Sequence, residues 1–127
     1  MKKLFFLISI LFSLSSFNSF TFTSISEIVN ALKSGNSSQL AQFFDNSIDI
    51  SIGGDPRTYS KKQAEQVVNT FFKENPVNNF VVIHKSENGN AQFVIGNLTT
   101  KNGNFRTTVY VKIKDKTLVI QEIQFEK

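Results

Sequence analysis

The chain holds one histidine, His84, and no cysteine. An imidazole suits acid–base work near neutral pH. A single His without Cys supplies no transition-metal ligand set. The lack of cysteine also excludes a disulfide, a thiolate nucleophile and a lipoprotein anchor. Asp45, Asp49 and Asp55 lack the spacing of a calcium loop. They read as helix-end, strand-surface and turn residues. No Ser stands in a nucleophile elbow, and no Gly-rich loop opens a helix over a phosphate site. Arg106, Lys112 and Lys114 share a strand face with Tyr110. Basic residues interleaved with an aromatic can track a nucleic acid strand, but here a solvated or interface face fits better. No catalytic set, cofactor or metal site emerges, and the reading leans away from an enzyme.

Charge supports that choice. The 127 residues carry 14 Lys and Arg against 10 Asp and Glu. Two of the basic residues, Lys2 and Lys3, precede the apolar run 4–12 (LFFLISILF), and a Ser-rich stretch follows. That layout predicts a secretory signal peptide over 1–21. Small residues at Ser13/Ser15, Ser19/Thr21 and Thr21/Thr23 allow cleavage anywhere from 15 to 23. The apolar run is shorter than the roughly 20 residues that span a bilayer, so the membrane is met only during export. The expected product is periplasmic or secreted. Without Lys2 and Lys3 the charge falls from +4 to +2, which predicts no general attraction to nucleic acid. Roughly 105 residues, 22–127, remain as one domain, enough to rest on a core without disulfides.

The elements that must position these residues follow from periodicity. Ile25, Ile28, Val29 and Leu32 form one helical stripe over 24–34. Ser24 with Glu27 predicts a capping box at its start, and Gly35 ends it. Asn36 caps a second short helix over 37–44, with Leu40, Phe43 and Phe44 inward. Ile48, Ile50 and Ile52 alternate with Asp49 and Ser51 in a half-buried strand. Gly53-Gly54-Asp55-Pro56 is a turn, and 57–59 is a short return strand. Ser60 and Gln63 box the start of the clearest helix, 61–73, whose stripe is Ala64, Val67, Val68, Phe71 and Phe72. Asn75-Pro76 ends it. Four antiparallel strands follow over 77–125, with turns predicted at Asn88-Gly89 and Asn102-Gly103.

Two-residue loops at those turns set the faces. Val81, Ile83, Val94, Gly96, Leu98, Phe105, Thr107, Val109 and Val111 then face the helices. Val119, Gln121, Ile123 and Phe125 join them if a three-residue loop or a bulge follows Lys114. The opposite face carries Phe80, Val82, His84, Phe93, Ile95, Arg106 and Tyr110, and no helix is left to cover it. An apolar patch of that kind marks a partner surface, and a two-fold copy would cover it. On the helix side the pocket candidates are Tyr59, Thr107 and Gln121, above Phe71 and Phe72.

The order α-α-β-β-α-β-β-β-β predicts an α+β fold, with helices on one face of a curved antiparallel sheet. It resembles the nuclear transport factor 2-like superfamily, also called the SnoaL-like or cystatin-like cone. The stretches GNSSQLAQFFDNSIDISI, YSKKQAEQVVNTFF and FVIGNLTTKNGNFR also look like a domain-of-unknown-function family of small exported bacterial proteins. The resemblance implies the cone, a homodimer through the sheet, and a cone pocket for a small apolar ligand. It also implies that a His in the cone would act as general base, yet His84 counts to the outer face beside Phe93. The superfamily hosts enzymes, ligand binders and interaction domains, so no activity comes with it.

Overall fold

The computed structural model describes residues 24–127. The predicted signal peptide lies outside the described residues. Helix α1 (Ile25–Ser34) buries Ile25, Ile28, Ala31 and Leu32. The capping box expected at its start does not form. Ser24 Oγ meets Ser26 Oγ, and the Ser24 carbonyl accepts the Glu27 N–H instead. Gly35, at φ +61°, closes the helix, with its own N–H and that of Asn36 donating to the Leu32 and Ala31 carbonyls. Asn36 Oδ1 accepts the Gln39 N–H at 3.0 Å and opens α2 (Ser37–Ala41). This helix is shorter than its sequence predicts. The Phe43 carbonyl accepts the Ile120 N–H, and Phe44 pairs with Ile120, so the sheet takes this backbone from the helix.

Strands β1 (Phe44–Ile52) and β2 (Asp55–Ser60) form a hairpin through Gly53 and Gly54, at φ +62° and +81°. Ser60 and Gln63 make the reciprocal capping box that starts α3 (Lys61–Glu74). Then come β3 (Val77–Ser86), β4 (Ala91–Thr100), β5 (Gly103–Lys114) and β6 (Thr117–Glu126). The six strands make one sheet in the order β2-β1-β6-β5-β4-β3. β1 and β6 run parallel and every other pair is antiparallel. The three helices pack on one side, and the core lies between them and the sheet. The fold is the α+β cone in the expected order.

Register departs from the count at three joints. At Asn88-Gly89 only Gly89 has positive φ, so the type I′ turn does not form. Ser86 pairs with Phe93 and His84 with Ile95, which keeps His84 on the outer side. A bulge between Val82 and His84 then reverses the faces upstream. Phe80 and Val82 turn to the helix side, opposite Leu98 and Gly96, while Val81 turns outward opposite Asn97. Gly96 permits this arrangement. A Cβ there would overlap the Phe80 ring and the Val81 carbonyl.

At the second joint Lys101 and Asn102 are central, Thr100 pairs with Gly103, and faces are unchanged. At the third, Asp115 and Lys116 form a two-residue turn with φ +48° and +62°. A bulge at Gln121 restores parity, because Tyr110 pairs with Glu122 but Val111 with Ile120. Leu118, Ile120, Ile123 and Phe125 therefore face the core. Val119 and Gln121 do not.

Candidate functional site

The interior of the cone is filled by aromatic rings. Phe71 stacks on Phe125 at 4.2 Å and meets Phe105 edge-on at 5.1 Å. Phe72 meets Phe125 edge-on at 6.2 Å. Thr107 is fully buried beside them, and its hydroxyl donates to the Phe105 carbonyl at 3.2 Å. Among the described residues no buried side-chain polar atom lacks a partner. A polar group awaiting a ligand deep in the cone is therefore absent from this region.

A groove of about 650 Å³ opens between α3 and the β1–β2 hairpin. Phe71 and Phe105 lie at its apolar side, with Ile52, Tyr59 and Val67. Gln66 and Thr70 on α3 supply polar groups. Gln63 also lines it, although its carboxamide oxygen is engaged by the Ser60 N–H. Of the five expected pocket residues, the groove unites Tyr59 and Phe71. Phe72 and Thr107 belong to the packed interior. Gln121 lies on the far side of the sheet, in a hollow shared with Asp49, Tyr110, Lys112 and Glu122. The bulge carries it there.

Sequence reasoning missed Ile52 and Phe105 as lining residues, along with the polar flank of α3. One signal was present. Gln63, Gln66 and Thr70 recur at i, i+3, i+7 beside the apolar stripe, a second face of the same helix.

Among the described residues no element covers the outer side of the sheet. Phe93 pairs with Tyr110, Ile95 with Thr108 and His84, and Asn97 with Arg106. The His84 and Phe93 ring centroids are 5.4 Å apart. Tyr110 and Arg106 are exposed, and Phe93 and Ile95 are half-buried. The bulge adds Val81 and removes two expected members. Phe80 is fully buried on the helix side, and Val82 sits at the rim of that same side. Lys114 is not a free cation. Its Nζ reaches over β6 to Asp45 Oδ2 at 2.7 Å. That bond, opposed by burial and helped by the Asn46 N–H, holds the Asp45 carboxyl below the usual aspartate value. Among the described residues no three His, Cys, Asp or Glu side chains gather where they would hold a metal.

Comparison with protein families matches residues 25–126 to a domain of unknown function, DUF4783. The chain belongs to this family. A DUF4783 family protein from Bacteroides ovatus is 29% identical, with TM-score 0.78 over 80% of this chain and 93% of that one. A second, from Bacteroides fragilis, is 31% identical, with TM-score 0.76 over 80% and 95%. An NTF2-like protein of unknown function from Cytophaga hutchinsonii is 12% identical, with TM-score 0.57 over 80% and 83%. That last likeness concerns the fold alone. Among curated proteins nothing matches. The DUF4783 chain thus has a nuclear transport factor 2-like fold.

Proposed function

We propose that this DUF4783 chain is an exported, non-catalytic domain that works by contact on the outer face of its sheet. The contact is with a partner protein or with its own copy. One observation carries the reading: Phe93, Ile95 and Tyr110 occupy neighbouring positions of that face, with Val81 on the next strand opposite Asn97, and no element of the described chain covers them. Arg106, Asn97 and His84 give the patch a polar rim, the composition of a contact surface. The test is binding by the full chain after export, with Phe93→Lys and Tyr110→Asp as variants. Association that weakens at least tenfold in both supports the reading. Association unchanged in both would sink it.

The groove favours a second reading, a small ligand with an apolar body and a polar end. Its volume falls in the range of small-molecule sites, roughly 300–1,000 Å³. Phe71 and Phe105 would hold the body, and Gln66 or Thr70 the polar end. Titration of the chain with small aromatic alcohols, followed by NMR, tests it. Shifts confined to Tyr59, Thr70 and Phe105 support a site. Shifts scattered over the surface, or none, remove it.

A further inference from the structure

The two edges of the sheet are finished differently. β2 has six residues and carries Asp55, Pro56 and Arg57. A short edge with proline and charge resists pairing with another strand. β3 has ten residues and no Lys, Arg, Asp or Glu before Lys85. Val81, Val82 and Ile83 on it are 52%, 37% and 65% exposed. These three do not share a face. Val81 points outward, Val82 lies on the helix side, and Ile83 stands in the bulge between the registers. A sheet laid on the outer face would cover Val81 and leave Val82 in water. A strand laid alongside β3 flanks both faces at once, and it also pairs the backbone groups that β3 turns away from β4.

We propose that a second copy of this chain docks on this edge, β3 antiparallel to β3 about a two-fold axis near Val81, so that two sheets become one. The surface differs from the outer face described above, sharing only Val81 and the rim residue His84 with it. A second copy is favoured because the other edge is blunted. Head-to-tail addition, β3 to β2, would meet Pro56 and the Asp55–Arg57 pair, which lie 3.1 Å apart, so open-ended growth is disfavoured and β3 is left to meet β3. The self-paired register also avoids conflict. With the axis at Val81, that residue faces its own copy and Val82 faces Phe80 of the second copy, within the stretch of β3 between its two register shifts. No like charges come opposite one another.

The experiment measures the oligomeric state of the full chain after export, by sedimentation up to about 1 mM, for wild type, Val82→Lys, Ile83→Lys and Tyr110→Asp. Thermal melts confirm that each variant is folded. The expected result is a dimer in wild type and Tyr110→Asp, and a monomer in Val82→Lys and Ile83→Lys. Amide exchange in β3, and not in β4 or β5, should slow as the protein is concentrated. A strictly monomeric wild type overturns the proposal. So does a dimer that survives both lysines and is lost in Tyr110→Asp, a pattern that would instead support the outer-face reading.

Discussion

At the scale of single residues, Gly96 and Phe80 act as one unit. The Phe80 ring occupies the space a Gly96 side chain would need. Gly96→Ala must push the ring or the strand away, and overpacking of this kind costs about 1–3 kcal/mol. Denaturant unfolding should show that loss. It should be smaller when Phe80→Leu is already present, since the two sites are in contact and their effects will not add. A Gly96→Ala variant as stable as wild type would contradict this packing. Asp45 and Lys114 form a second unit. The folded Asp45 carboxyl titrates below its ordinary value of 3.8. Its stabilisation is therefore complete above that value and is lost as pH falls through the folded value. Lys114 is about half exposed, so the pair contributes roughly 0.5–1 kcal/mol. Asp45→Asn should lower stability by that amount at pH 7. The gap between variant and wild type should close under acid conditions, as read by melts across pH 2 to 7.

At the scale of elements, the β5–β6 turn carries avoidable strain. Asp115 and Lys116 both adopt positive φ, which non-glycine side chains resist. Lys116→Gly should stabilise the chain by about 0.5–1 kcal/mol, the relief being partly offset by greater freedom when unfolded. A rise of a few degrees in Tm is expected, and a fall would mean that the turn is not of this type. This turn shows how far local sequence carries. Ser60 with Gln63, Gly35, and Gly53-Gly54 were legible because each motif is satisfied by its own backbone neighbours. The Asn-Gly joints were misleading because other contacts compete for them. Asn102 Nδ2 donates to the Glu74 carbonyl at 2.6 Å, tying the turn to the end of α3. Pairing of β1 beside β6, and the early end of α2, depend on residues more than seventy positions apart. Of the sheet's register shifts, the two that misplace site residues, at Ile83 and at Gln121, have no local signature. Gly96 was the one sign that β3 and β4 approach closely in mid-strand, and a register count that treats it as any apolar residue misses the reversal. The candidate site suffered accordingly. Faces were legible for β4 and β5, and wrong for Phe80, Val82 and Gln121, each of which lies at a bulge or on the reversed side of one.

At the scale of the whole molecule, the helices cover one side of the sheet, and the chain fills that side with phenylalanine rather than leaving it hollow. Phe71 is the hinge of this arrangement, because its ring touches both the packed interior and the open groove. Removing it tests how the two are divided. Phe71→Ala deletes the ring stacked on Phe125 and should cost about 3–5 kcal/mol, a large share of the 5–15 kcal/mol typical of a domain. The space left behind is apolar, walled by Phe72, Phe105 and Phe125, and continuous with the groove. Apolar space of this kind takes up small aromatic molecules. Benzene or indole should therefore raise the Tm of Phe71→Ala well beyond any change in wild type. Equal response in the two proteins would mean that the wild-type cone already opens to ligands of this size. Loss of stability without any ligand response would mean that α3 collapses onto the sheet, and the interior would then be held by the helix's freedom to move and not by the fit of its rings.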